Sequence, residues 1–448
     1  MRKKITSIII CIIAIAVIAM LYYPMVEEQV KGWPQYKQPK DAVTYTMNRN
    51  ENRLSQIDYQ DDLIIEEVAT VTKPIIDEKA NIQLNARAAC LMDASTNRVL
   101  YGKEVDKEMP MASTTKIMTL IVTLENANLE DVVTVSKNAA RQPDVQLNMQ
   151  TGNQFRLEDL LYSLMLESHN DTAVAIAEHV GGSVEGFAQM MNEKAKELGC
   201  THTNFVTPNG LDSSTEEHYT TARELGIIAS YAIKNKKFLE ITNTPNWSFK
   251  ELKTGSSYAV SNKDRFLYIY DGAIGIKTGF TNKAGYCFVG AVDKEDRTFV
   301  SVVLASGWPP NKNYKWSDTT KLMDYGTENY KVQEIFDDTK LYDPIFVRKG
   351  KESYADLYCE GSLQLLLSSQ DEVKVVYEIT KEVEAPVKPD EQVGVARYYV
   401  NDELVKTFPI KTSTSIEKID HEFTWNQVLN LWFAVKTNMG ELLNNQND

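Results

Sequence analysis

A lysine inside a long apolar run, three residues after a serine, constrains this chain more than any other feature. The segment Met111-Ala112-Ser113-Thr114-Thr115-Lys116-Ile117-Met118-Thr119-Leu120-Ile121-Val122 reads as a buried helix. Helical spacing puts residues i and i+3 on one face, a turn apart. A fold that buries this run also buries the Lys116 amine, and burial disfavours an amine's charged form. A neutral amine beside the Ser113 hydroxyl can take its proton and create a nucleophile. A serine near a helix N-terminus also gains from the positive end of the helix dipole as anionic charge develops there.

The spacing alone is not specific. Ser415-Ile416-Glu417-Lys418 has it too, in a polar stretch, and carries no such implication. What singles out the first pair is its company. An amphipathic helix runs from Leu157 to Glu167, and a second, Asp171 to Val180, stops at Gly181-Gly182. Ser168-His169-Asn170 falls at the junction between them, where side chains can face a cleft. Further on, Lys277-Thr278-Gly279 lies in a predicted antiparallel meander with Tyr286–Val292 and Phe299–Leu304. Gly279 is the kind of strand glycine that allows a ligand close to the backbone. Ser95-Thr96-Asn97 and Lys253-Thr254-Gly255 repeat the second and third patterns. The former sits in a predicted hairpin turn between 86–93 and 98–103, and polar Ser256-Ser257 follow the latter, so context selects 168–170 and 277–279.

The ordered triple Ser-x-x-Lys, Ser-x-Asn, Lys-Thr-Gly resembles the active-site set of penicillin-recognising serine acyltransferases. The blocks Thr207-Pro208-Asn209-Gly210-Leu211-Asp212, His218 to Arg223 and Gly272 to Tyr286 narrow the resemblance to the D-alanyl-D-alanine carboxypeptidases, the low-molecular-mass penicillin-binding proteins. It covers about 81–343. Two positions depart from the family pattern. Met111 replaces a proline, and His169 stands where a small residue is usual, with its side chain expected to point away from the chemistry.

The resemblance implies an α/β (α+β) fold of the serine β-lactamase/DD-peptidase type, an antiparallel sheet flanked by helices. It implies as substrate a peptidoglycan stem peptide ending in D-Ala-D-Ala, with β-lactams as covalent inhibitors. Acyl transfer needs a nucleophile, a base, an acid for the leaving amine and an oxyanion site. Ser113 would be the nucleophile, Lys116 its base and Ser168 a proton relay to the leaving amine. Asn170 would hold the substrate amide and Lys116. Lys277 and Thr278, followed by Gly279, would bind the terminal carboxylate. The backbone N–H groups of Ser113 and Phe280 would form the oxyanion hole.

The five histidines include no His-Glu-x-x-His pattern, so neither a zinc site nor a cofactor is expected. His179 reads as a partner for a helix C-terminus, and His218 as a support for the loop before a capping box at Thr221-x-x-Glu224. The five cysteines are scattered singly and read as small buried hydrophobes. A net charge of −14 over 448 residues argues against nucleic acid and against electrostatic binding to anionic lipid.

Met1-Arg2-Lys3-Lys4 precedes an apolar run, Ile5 to Tyr23, close to the about 20 residues that span a bilayer. It reads as an uncleaved anchor over 1–23, with a cleaved signal peptide as the alternative. The localisation that follows is the cell membrane, held by a single N-terminal span, with the catalytic domain extracytoplasmic. Residues 24–80 read as an extracytoplasmic stalk or partly ordered extension, and 81–343 as the catalytic domain. Residues 344–415 read as a small all-β domain with strands near 345–348, 363–367, 373–379, 393–400 and 404–408. The tail, 416–448, reads as an amphipathic helix, either lying on a membrane or packed on the β domain.

Rival functions remain. A class A β-lactamase would need a deacylating glutamate in a Glu-x-x-Leu-Asn loop, and none occurs between Asn170 and Lys277. A transpeptidase or endopeptidase on the same scaffold stays open, as does a silent scaffold that binds cell-wall peptide without chemistry.

Overall fold

The computed structural model describes residues 56–60, 63–70, 82–212 and 217–419, all within one compact unit. Its centre is a five-stranded antiparallel sheet in the order Val99–Lys103, Ala88–Asp93, Arg297–Leu304, Gly285–Lys294, Ala273–Thr281. The predicted hairpin and meander are both there. Side chains alternate across a sheet. Cys90, Met92, Val300 and Val302 join the larger core, while Ala89, Leu91, Phe299 and Val303 join the smaller one on the opposite face. Both faces are covered, which is why these strands read as continuous apolar runs rather than alternating ones.

The helix Tyr314–Asn329 closes the smaller core with Trp316, Leu322 and Met323. The larger core holds the helices Lys116–Asn126, Leu157–Leu166, Asn170–Gly181 and Ala222–Ala232. The Asn170–Gly181 helix ends as predicted, on Gly182 at φ 73°, a left-handed cap that glycine adopts without penalty. The capping box at Thr221 is half made. Thr221 accepts from the Glu224 N–H, but the Glu224 carboxylate turns away to take N–H groups of Thr201 and His202 and the Thr203 hydroxyl.

Every strand expected in the C-terminal domain is present, as Ile345–Arg348, Gln364–Leu367, Val373–Thr380, Gln392–Val400 and Glu403–Thr412. Lys331–Glu334 pairs with Gln364–Leu367, so the β-rich part takes in residues before Ile345. Arg98, in the turn of the first hairpin, ties the two parts together. It pairs with buried Asp371 at 2.9 Å and donates to the Leu366 carbonyl.

Two expectations need correction. Residues 24–80 read as a stalk or partly ordered extension with no strand expected, yet Gln56–Gln60 and Leu63–Thr70 form a hairpin, and Leu63–Thr70 pairs antiparallel along the whole length of Val373–Thr380. The hairpin thereby extends the sheet of the C-terminal domain to six strands. The membrane-anchored localisation is withdrawn as well: among the described residues, no helix is long and apolar enough to cross a membrane. The segment 1–23 and all but the start of the tail, 420–448, lie outside the described residues.

Candidate active site

Ser113 does not open an α-helix. Ala112–Thr115 is a single 3-10 turn, and the α-helix begins at Lys116. The change favours the chemistry, because at three residues per turn positions i and i+3 eclipse one another. Lys116 Nζ lies 3.0 Å from Ser113 Oγ. Ser113 is partly exposed, whereas Lys116 is fully buried. Ala112 is held at φ 49°, a left-handed conformation that L residues leave unless the surroundings enforce it.

The enforcement comes from the 206–211 loop. Gly210, at φ 84°, lies so close that a Cβ there would stand 2.0 Å from the Ala112 carbonyl oxygen. His218 fixes the loop from behind. The Val206 N–H donates to Nδ1 at 3.0 Å, so the ring proton sits on Nε2, 2.8 Å from Thr115 Oγ1. Burial pushes the ring's pKa down to about 4, so it stays neutral in this role. His218, expected to support the loop before Thr221, instead holds the 206–211 loop and the serine turn with its ring.

Lys116 Nζ also lies 2.9 Å from Asn170 Oδ1 and 2.7 Å from the Asn209 carbonyl oxygen. Asn170 cannot turn its amide over, because its nitrogen donates to the Pro143 and Asp144 carbonyls at 3.2 and 3.0 Å. Desolvation first, and the charge of Lys277 second, hold Lys116 well below an ordinary lysine pKa. A neutral amine has two N–H bonds and one lone pair. Asn170 and Asn209 take the two hydrogens, which leaves the lone pair for the Ser113 hydroxyl proton. The Asn209 carbonyl had no distinctive signal in the sequence beyond its place in the Thr207–Asp212 block.

Ser168 lies in the junction between helices, at φ 69°, and its Oγ is buried without a hydrogen-bond partner among the described residues. His169 is buried at 4 % exposure and engages Ser163 and Glu167 rather than the Ser113–Lys116 pair. Lys277, Thr278 and Gly279 lie on Ala273–Thr281, the edge strand beside the serine turn. A Cβ at Gly279 would stand 3.1 Å from Met111 O, Ser113 N and Thr114 N. What approaches this glycine is therefore the serine turn, not a ligand as its type suggested. The two decoys are elsewhere: Ser95 bonds Asp93 in a hairpin turn, and Lys253 reaches the Gly152 carbonyl.

Behind Lys277 is a residue that the sequence did not mark. Asp264 is buried, one oxygen accepts the Phe266 N–H at 2.8 Å, and the other has no partner among the described residues. Burial raises its pKa to about 7, against the opposing pull of Lys277 and Lys315. Lys277, brought down to about 8 by its own burial, is supported by the Asp264 charge. Lys315 lies over the rings of Tyr286 and Trp316, with Lys312, Arg265 and Cys287 as further charged or titrating neighbours. Replacing Asp264 with asparagine removes the support. The charged form of Lys277 is then lost at lower pH, and the alkaline limb of kcat/KM for a carboxylate-ended substrate is expected below its native position. A pH–rate profile of Asp264→Asn checks this, and an unmoved limb refutes it.

A partly exposed serine, a buried lysine held below its ordinary pKa, a fixed asparagine and a Lys-Thr-Gly edge strand define the penicillin-recognising serine hydrolase class. Residues 72–307 match the D-alanyl-D-alanine carboxypeptidase (peptidase S11) family, and residues 330–418 match the penicillin-binding protein 5 C-terminal domain. The chain belongs to the D-alanyl-D-alanine carboxypeptidase family. It is 28 % identical over 341 residues to D-alanyl-D-alanine carboxypeptidase DacF of Bacillus subtilis, covering 74 % of this chain and 86 % of DacF. It is 36 % identical over 273 residues to the D-alanyl-D-alanine carboxypeptidase of Streptomyces sp. strain K15, covering 57 % of this chain and 89 % of that one. Among solved structures, penicillin binding protein 5 from Haemophilus influenzae superposes with a TM-score of 0.62 at 24 % identity, over 76 % of this chain and all of that one, a likeness of fold. A variant of the Streptomyces K15 DD-transpeptidase superposes with a TM-score of 0.52 at 34 % identity, over 55 % of this chain and all of that one.

Proposed function

We propose that this chain is a serine-type D-Ala-D-Ala carboxypeptidase that removes the terminal D-alanine from peptidoglycan stem peptides and is acylated by penicillins. The observation that carries the reading is the 3.0 Å approach of a buried lysine amine to the hydroxyl of a partly exposed serine. In this reading Ser113 Oγ attacks the carbonyl carbon of the D-Ala-D-Ala bond while Lys116 Nζ takes its proton. The backbone N–H groups of Ser113 and Phe280 receive the oxyanion, consistent with an edge strand packed on the serine turn. Ser168 passes a proton to the leaving amine, and Lys116 restores it. Asn170 holds the substrate amide, and Lys277 with Thr278 holds the terminal carboxylate. Water then releases the acyl group.

A second reading, transfer of the acyl group to an amine instead of water, is favoured by the relative that bears the name DD-transpeptidase. Intact mass of the protein with benzylpenicillin, together with D-alanine release from a D-Ala-D-Ala tripeptide with and without added glycine, tests both. We expect a single adduct that is absent in Ser113→Ala, and D-alanine release whose other product is the shortened peptide. A glycine-extended product would point to transfer. Penicillin left intact and unbound would refute the enzyme reading and promote the silent scaffold.

A further inference from the structure

His169 lies between two residues of the proposed machinery and belongs to neither. Its Nδ1 is 2.8 Å from Ser163 Oγ, and Ser163 Oγ is 3.0 Å from Thr172 Oγ1. Its Nε2 is 3.4 Å from Glu167 Oε2. The other Glu167 oxygen accepts the Ser261 N–H at 3.1 Å and pairs with Lys263 Nζ at 2.9 Å. With the ring neutral, one placement of protons fits these contacts: the Thr172 hydroxyl donates to Ser163, the Ser163 hydroxyl donates to Nδ1, and the proton on Nε2 faces Glu167 Oε2 across 3.4 Å, a contact without hydrogen-bond geometry. Burial lowers the ring's pKa, which fits the neutral tautomer this placement requires.

The contacts join three elements at one point. Ser163 is in the Leu157–Leu166 helix, Thr172 in the first turn of Asn170–Gly181, and Ser261 at the end of the strand Ser257–Ser261. Glu167 and His169 flank Ser168, and their side chains meet each other. A link from i to i+2 restricts the dihedrals of the residue between. Ser168 stands at φ 69°, where a serine remains only if its neighbours dictate it. Its hydroxyl bonds nothing among the described residues, so it is not the hydroxyl's own contacts that set the conformation.

We propose that the Glu167–His169 pair is a positioning device for Ser168, holding its hydroxyl ready to give a proton to the leaving amine. The proposal rests on the reading of Ser168 as that relay. In the step concerned the C–N bond breaks, the Ser168 proton passes to the departing nitrogen, and the proton Lys116 took from Ser113 passes to Ser168. Neither Glu167 nor His169 touches the reacting atoms in this scheme.

The test compares His169→Ala, His169→Gln, Ser168→Ala and the Ser168→Ala/His169→Ala double variant on a D-Ala-D-Ala tripeptide, with Tm recorded for each. His169→Ala is expected to lower kcat roughly 10-fold with KM unchanged, part of the 10²–10⁴ that proton transfer supplies. His169→Gln, whose amide can still place an N–H against Glu167, is expected to recover most of the loss. The double variant should be no slower than Ser168→Ala alone, because the ring acts only through that hydroxyl. Should His169→Ala fail to fold, Glu167→Ala breaks the same link and should show the same fall in kcat. Native kcat in folded His169→Ala or Glu167→Ala, or a double variant whose losses multiply, would overturn the positioning role alone. A Ser168→Ala enzyme as fast as the native one would overturn the relay and the positioning role together.

Discussion

Lys116→Ala should slow acylation of Ser113 by benzylpenicillin about a thousand-fold at pH 7, within the range that a positioned general base contributes. Among the described residues, the groups within hydrogen-bond distance of Ser113 Oγ are the Lys116 amine at 3.0 Å and the Asn209 carbonyl at 3.4 Å. A carbonyl is no base for a hydroxyl proton, so the alanine variant leaves Ser113 as an ordinary alcohol. Lys116→Arg separates two explanations. A guanidinium keeps the positive charge but has no neutral form at working pH. If the amine acts as a base, the arginine variant is as slow as the alanine one. If it merely offers charge, the arginine variant retains most of the rate. The pH profile adds a sign. Desolvation and the Lys277 charge hold Lys116 well below its usual range, so the base form persists to lower pH than in an ordinary lysine and is lost as pH falls through that lowered value. Burial brings Lys277 down to about 8, so in the proposed reading, where it holds the substrate carboxylate, binding is expected to weaken as pH rises through that value. Together they give a bell-shaped kcat/KM. Acylation rates measured by mass spectrometry from pH 5 to 10 for the native, alanine and arginine forms check the whole set, and a fast Lys116→Arg would sink the base.

What the sequence made legible follows from how local each signal is. Ser113 and Lys116 lie within one turn, so their approach needed only a helix-like segment and an apolar setting. The type of turn was missed, since a 3-10 turn and the first turn of an α-helix present the same residues. Strands such as Val373–Thr380 and Gln392–Val400 alternate with period two and were read almost to the residue. The hairpin at 56–70 was not, because its ladder partner is the distant strand Val373–Thr380, and nothing within the segment names that partner. Asp264 is one acid between two basic residues, a pattern normally at home in solvent, and only burial sets it behind Lys277. Glu224 likewise met the local rule for a capping box, but three donors in 201–203 compete for the same carboxylate and win.

Gly210→Ala should be the most damaging change of a single methyl group in the catalytic domain. Its Cβ would stand 2.0 Å from the Ala112 carbonyl oxygen, 2.4 Å from the Ala112 carbonyl carbon and 2.9 Å from Thr115 Oγ1, distances that no real Cβ tolerates. The Ala112 atoms are backbone, so relief requires the serine turn or the loop to move. The φ of 84° is itself unfavourable for alanine. Strain at φ and displaced packing together cost about 3 kcal/mol or more. The movement falls where the chemistry is least forgiving. Asn209, one residue earlier, offers its carbonyl to Lys116 at 2.7 Å, and Ala112 immediately precedes Ser113. A shift of about 1 Å in a reacting group costs roughly 100-fold in rate. We therefore expect Gly210→Ala to lose both stability, by several degrees in Tm, and acylation rate, by about 100-fold. Gly152→Ala is the control. That glycine also has a positive φ, 88°, but nothing lies within 4 Å of its Cβ position, so it carries the dihedral penalty without the collision. Equal losses in the two variants would mean that backbone conformation alone explains Gly210. A much larger loss of acylation rate in Gly210→Ala ties the loop glycine to the geometry of the serine turn.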